Sequence, residues 1–210
     1  MERLTVKVCG MRDGENIREV ERLGIDWMGF IFYPKSSRFV DSVPAYLPVS
    51  VRRVGVFVNA APEYILDKVK RFSLGAVQLH GHETPENVLQ IKNRLPSGTL
   101  VVKALNIGSP EDLAPAAAYG RMVDFFLFDT KASLAGGNGT KFDWNVLSSY
   151  NGSTPFILSG GIGPDDAEKV LSFSHPMLRG IDLNRRFEIS PGMKDPVLLE
   201  GFLKALHGTI

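Results

Sequence analysis

Eight short runs rich in β-branched and aromatic residues recur along the chain: TVKVC (5–9), WMGFIF (27–32), RVGVFV (53–58), AVQLH (76–80), LVVKAL (100–105), DFFLFD (124–129), PFILSG (155–160) and RGIDL (179–183). Their ends are spaced by roughly 22 to 30 residues, the length of one strand-plus-helix unit. Most runs are followed by a helical pattern. In GENIREVERLG the apolar Ile17, Val20 and Leu23 fall on one face and Gly24 supplies the stop. Further helices are expected over 62–72, 84–95, 109–119, 163–173 and 196–207, several led by a proline near the first helical position, as in APEYIL, TPENVL and SPEDL. After the second run, DSVPAYLP is short and twice broken by proline, so a shortened helix is expected there. Nothing between the units reads as a linker. The pattern predicts an α/β chain forming a single (β/α)8 TIM barrel over 1–210, with its site on the loops at the carboxyl ends of the strands. An open doubly wound sheet is the alternative, but it would bury its strands on both faces, and nearly every run here carries a polar residue near its end.

Charge is close to balanced, with 24 Lys and Arg against 23 Asp and Glu, so no global field draws the protein to nucleic acid or to an anionic membrane. Any anionic ligand must be held locally. A single cysteine excludes an internal disulfide, MERLTVKVCG lacks a signal-peptide core, and no apolar run approaches the ~20 residues of a membrane span. The cytoplasm is the expected compartment. For assembly, a monomer is expected, with a homodimer as the alternative.

Side chains alternate across a strand, so Thr5, Lys7 and Cys9 share one face of the first run while Val6 and Val8 share the other. The valines suit a helix layer. The same parity sends inward Gln78 and His80, Val101 and Lys103, Leu127 and Asp129, Ile157 and Ser159, and Asp182. A core built only for stability would not gather Lys7, His80, Lys103, Asp129 and Asp182 in this way, because each unpaired buried charge costs several kcal/mol as a rough figure. Singly, each has an ordinary reading: a buried apolar thiol, a satisfied histidine, a lysine that neutralises an aspartate. Together they suggest a site. Lys7 and Cys9, about 6 to 7 Å apart on one strand, would attract by about 2.5 kcal/mol and bring the thiol down by at most about two pH units from ~8.5. Pairing of Lys7 with Asp129 or Asp182, and burial itself, would oppose that.

Two glycine-bearing turns follow the last two runs, LSGGIGPDDAEKV (158–170) and DLNRRFEISPGMKD (182–195). In a barrel they are neighbours. The backbone N–H groups of Gly160, Gly161 and Ile162, with a helix amino terminus behind them, make the anion cradle expected after strands seven and eight. The long connection TKASLAGGNGTKFDW (130–144) follows the inward acid Asp129, and a closing loop is expected there.

Taken in order, VKVCG, GFIFYPKSSRFV, VGVFVN, VQLHGHE, FDTKASLAGGNGTKFDW, LSGGIGP and SPGMKD resemble the phosphoribosylanthranilate isomerases of tryptophan biosynthesis across residues 6 to 195. The resemblance implies an Amadori rearrangement of N-(5-phosphoribosyl)anthranilate, a small phosphorylated substrate, with no cofactor and no metal. It places the family's base on Cys9 and its acid on Asp129. It also matches Arg38 to the arginine that contacts the anthranilate carboxylate, a task suited to a guanidinium fork. Lys7 is then their electrostatic neighbour, and it is grouped with Arg38, His80 and Asp182 as substrate-binding. Phosphate contacts are expected from Gly160, Gly161, Ile162, Asn184, Arg185 and Arg186. One departure stands out. Where many members carry a Ser-Ser-Gly stretch after strand eight, this chain has Asn184, Arg185 and Arg186, so a backbone contact at 186 gives way to a choice between arginine side chains and solvent. Three other readings remain: a related sugar-phosphate isomerase of histidine biosynthesis, which typically has an aspartate where Cys9 stands; a Schiff-base aldolase using Lys103; and a noncatalytic phosphate-binding barrel.

Overall fold

Each of the eight runs forms a strand in the computed structural model, which describes residues 3–130 and 144–208. The strands are β1 (Thr5–Cys9), β2 (Trp27–Ile31), β3 (Arg52–Phe57), β4 (Ala76–Leu79), β5 (Leu100–Ile107), β6 (Phe125–Thr130), β7 (Phe156–Ser159) and β8 (Leu178–Leu183). All neighbours pair in parallel, and β1 pairs with β8 as well as with β2, closing the barrel. Trp27, Val54, Ala76, Val102, Ala104, Leu127 and Ile157 fill its interior, while the opposite faces of the strands pack against helices in a larger outer cluster. Trp27 meets Phe125 edge to face, with centroids 5.4 Å apart.

The helices start where local chemistry satisfies their first N–H groups. In α1 (Gly14–Glu21) the Asp13 carboxylate accepts from Asn16 N. Helix α2 (Pro62–Phe72) has proline in its first turn and stops at Ser73, which takes a left-handed conformation. Thr84 and Asn87 form a reciprocal cap on α3 (Pro85–Lys92), and Asp195 accepts from Val197 and Leu198 at the start of α6 (Pro196–His207). The helices expected over 109–119 and 163–173 are weaker than their patterns. The former breaks into a 3-10 turn, α4 (Ala116–Tyr119) and a second 3-10 turn, and the latter is a 3-10 turn followed by α5 (Ala167–Ser172).

Between β2 and β3 the reduction goes further than a shortened helix, because no helix forms there. The Glu21 carboxylate takes over the organising role. It accepts from Val49 N at 2.7 Å, from Ser50 N and Oγ at 2.6 Å each and from Tyr46 Oη at 2.5 Å. Burial opposes its charge, but the Ser50, Tyr46 and Val49 donors outweigh burial and hold the carboxyl down at about 2. A carboxyl held below its unfolded range contributes stability in full above ~4.5 and loses it as pH falls toward 2. Glu21→Gln is therefore expected to lower stability near neutrality by about 1 to 3 kcal/mol. Thermal unfolding of both proteins from pH 7 to pH 3 checks this, since the gap between them should narrow as the solution is acidified.

Strand β5 corrects the expected inward set. It runs to Ile107, past the apparent end of LVVKAL, and pairs Gln78 with Val102. Val102 and Ala104 therefore face the barrel interior, whereas Val101 packs in the outer cluster and Lys103 points the same way. Lys103 lies behind the wall, donating to Leu79 O, Gly81 O and Ala104 O and pairing with Glu83 at 3.1 Å. Its place at the mouth belongs to Asn106, which stands opposite Asp129 in the ladder.

Candidate active site

Cys9 ends β1, 4% exposed, and Gly10 after it turns the chain away at φ +83°. The thiol lies across Gly29 of β2, where an added Cβ would stand 2.7 Å from Sγ. That glycine is what gives the sulfur its room. Two residues earlier Lys7 is fully buried, 2.8 Å from Asp182 of β8 and electrostatically coupled to Cys9. Asp182 also accepts from Ser159 Oγ at 3.3 Å.

The thiol shifts opposite to the expected direction. Burial pushes the Cys9 pKa up, Lys7 pulls it down, and the Asp182 charge pushes it up again, leaving the thiol above its ordinary range. Lys7 is also raised: burial works against its charge, but Asp182 and Cys9 overcome that. Asp182 thus opposes part of what a lone lysine would do for the sulfur.

A second charged group closes over Gly10. Arg38, on the loop after β2, grips Glu188 through Nε at 2.8 Å and Nη2 at 2.5 Å, a bidentate fork. Glu188 and Lys194 sit opposite each other in a hairpin made of β9 (Glu188–Ser190) and β10 (Met193–Lys194), turning at Gly192 with φ +86°. The Lys194 ammonium, wholly buried, donates to Glu188 Oε1 at 2.7 Å and to Asn184 Oδ1 at 2.8 Å. Burial opposes the Glu188 charge, yet Arg38 and Lys194 hold its carboxyl at about 2. A Cβ on Gly10 would come within 2.6 Å of Arg38 and 3.0 Å of Asn184, so both side chains lie directly over the residue after Cys9.

On the other wall, three steps round the barrel through β8 and β7, Asp129 of β6 faces His80 after β4. His80 Nε2 is 3.5 Å from Asp129 Oδ2, and its Nδ1 is 2.8 Å from the Gln78 amide. Both side chains are 28% exposed, open to a ligand in the mouth. Glu83, from the same QLHGHE stretch, turns away to Asn59 N, Gly81 N and Lys103.

The anion cradle keeps its glycines for clear steric reasons. A Cβ on Gly160 would come to 2.1 Å from Thr130 O, and Gly160 and Gly161 have φ of +99° and +69°. Behind them the expected helix start is only a 3-10 turn (Pro164–Asp166), whose Gly163 N–H is already taken by Asp166 at 2.8 Å. Among the described residues, no α-helix terminus of the expected length therefore stands directly behind the turn. Arg186 lies against this turn, its Nε 3.0 Å from the position of a Cβ on Gly163, whereas Asn184 is turned toward Gly10 and Lys194. Arg185 is exposed. The expected closing loop over 130–144 falls, apart from its two ends, outside the described residues.

Of the residues named from sequence, Lys7, Cys9, Asp182 and Arg38 meet on one wall and His80 and Asp129 on another, while Arg186 lies against Gly163, which follows Gly160, Gly161 and Ile162 in the turn after β7. Glu188, Lys194 and Asn106 escaped individual notice. The first two had a signal, a Pro-Gly turn flanked by a glutamate and a lysine, which marks a hairpin that sets the charges side by side.

Fold and site define a (β/α)8 barrel with Cys9, Asp129 and the glycine turn after β7 gathered at the carboxyl ends of its strands. The family model for N-(5'-phosphoribosyl)anthranilate (PRA) isomerase matches residues 6–205, and the chain belongs to that family. A PRA isomerase of Phocaeicola vulgatus is 47% identical over 99% of this chain and 100% of its own, and one of Parabacteroides distasonis is 45% identical over 97% and 93%. Among solved structures, the Thermotoga maritima enzyme superposes with a TM-score of 0.80 at 33% identity, covering 98% of this chain and 99% of its own. Another, in complex with reduced 1-(o-carboxyphenylamino)-1-deoxyribulose 5-phosphate, gives 0.78 at 31% identity over the same shares.

Proposed function

We propose that this protein converts N-(5'-phosphoribosyl)anthranilate to 1-(2-carboxyphenylamino)-1-deoxyribulose 5-phosphate, the Amadori step of tryptophan biosynthesis, with Asp129 as acid and Cys9 as base. Asp129 gives its proton to the furanose ring oxygen, and the ring C1–O bond breaks to leave an iminium carbon. Cys9 as thiolate then takes the C2 proton, the C2–H electrons form the C1–C2 double bond of the enol and the iminium electrons return to nitrogen; the 2-hydroxyl gives up its proton and C1 takes one, leaving the ketone of the product. The observation that supports this most directly is the placement of Cys9 with Lys7 and Asp129 with His80 on separated walls of one barrel mouth. A sugar lying between them meets an acid at one side and a base at the other.

The ligand captured in the solved relative carries an aryl carboxylate, a sugar chain and a phosphate. This chain has a partner for each. Arg38 holds Glu188 through Nε and Nη2, and its Nη1, which also donates to Ser37 Oγ at 3.5 Å, has a second N–H for a substrate carboxylate; the SGGIG turn with Arg186 receives the phosphate. Lys7 and Asp182 order the middle of the cavity. The reading uses no cofactor or metal, and no helix is long and apolar enough to cross a membrane among the described residues. We place the activity in the cytoplasm and take the monomer as the working unit.

The test is loss of the fluorescence of freshly made phosphoribosylanthranilate on adding the protein. An active preparation supports the reading, and a folded one without activity rejects it. Arg186→Ala should raise KM about tenfold while changing kcat less, since a charge-assisted hydrogen bond contributes about 1.5 kcal/mol. Arg185→Ala should do less. An unchanged KM in both would remove the arginines from the phosphate site.

A further inference from the structure

The groups around Cys9 do not balance in charge. Lys7 from β1, Arg38 from the loop after β2 and Lys194 from β10 bring three positive charges, and Asp182 from β8 and Glu188 from β9 bring two negative ones. The two short pairs, Lys7 with Asp182 and Arg38 with Glu188, cancel internally. Lys194 is the surplus. Gly29 of β2 adds no charge, Arg12 and Lys35 lie exposed on the rim where solvent screens them, and His80 and Asp129 belong to the far wall.

We propose that Lys194 is a positioning residue for the base: held behind Arg38, it leaves the pocket one positive charge in excess, which the Cys9 thiolate neutralises when it forms. This rests on the reading of Cys9 as base. Lys194 is well fixed for such a task. Its backbone exchanges two hydrogen bonds with the Asn16 side chain, at 2.8 and 2.9 Å, and its ammonium is 0% exposed. Electrostatic coupling between Lys194 and Cys9 acts on both residues. A surface lysine could not play this part, because water would screen it. Glu188 sets the size of the surplus by shielding both Arg38 and Lys194.

The chain has one cysteine, so its thiolate can be followed by ultraviolet absorbance near 240 nm as a difference from Cys9→Ala. Lys194→Met brings the surplus to zero and should move the Cys9 midpoint up by about one pH unit, and Glu188→Gln doubles the surplus and should move it down by a similar amount. The double variant restores the single excess charge and should titrate near wild type. The rising limb of kcat/KM against pH should follow in the same directions. Packing damage would move both single variants the same way and add in the double. Shifts of equal sign, no shift, or a double variant that fails to return each overturn the proposal. Should Lys194→Met not fold, Glu188→Gln decides alone, since an unmoved or raised midpoint contradicts it. Failure of the underlying reading looks different: Cys9→Ala would retain turnover whatever the titrations show.

Discussion

Cys9→Ala is expected to abolish measurable turnover, with kcat reduced by at least about 10³, near the upper part of the range a positioned base contributes. The substitution removes the one group on the β1 wall that can take a carbon-bound proton. Lys7 cannot replace it, because it is committed to Asp182 and its pKa is raised. Stability should hardly fall, since a small side chain is lost beside Gly29 and neither ion pair is broken. Substrate binding should survive, because the carboxylate and phosphate partners lie elsewhere. The wild-type pH profile carries the same argument. Because burial holds the thiol above its ordinary range, the thiolate fraction grows with pH, and kcat/KM should climb as pH rises through the alkaline region. Steady-state kinetics from pH 6 to 10 check this. A profile already flat from pH 6 would place the ionisation in another group.

Asp129→Asn should lower kcat by about 10² to 10⁴ with a smaller change in KM. Asparagine keeps the shape and can still accept from His80, but it has no proton to give to the ring oxygen. The defect should therefore lie in ring opening. A chemically opened analogue that bypasses this step would recover more of the rate in Asp129→Asn than in Cys9→Ala. His80→Asn should be milder, because His80 touches Asp129 only at 3.5 Å and serves to orient it.

The barrel was legible because its units repeat: eight apolar runs at near-constant spacing leave few other ways to bury their faces. Cys9 and Asp129 stood out because each ends a strand on the inward parity. Lys103 misled because parity within LVVKAL depends on the register of β5 against β4, which sets Val102 and not Val101 beside Gln78 and so turns Lys103 outward. The direction of the Cys9 shift was hidden for another reason. It depends first on how completely the fold buries the thiol and then on the aspartate that takes Lys7, which lies 175 positions away on β8. Glu188 and Lys194 were obscured by their ordinary appearance in a tail of loop residues. Only the hairpin pairing brings them under Arg38.

The claim beneath all of this is that sulfur, and not another group, lifts the proton from the substrate's second sugar carbon. Release of tritium to water from substrate labelled at that carbon measures it directly. Wild-type protein should release label in step with product, whereas Cys9→Ala should bind substrate and release none above the uncatalysed rate. Label appearing in water from Cys9→Ala at a rate approaching wild type would contradict the assignment.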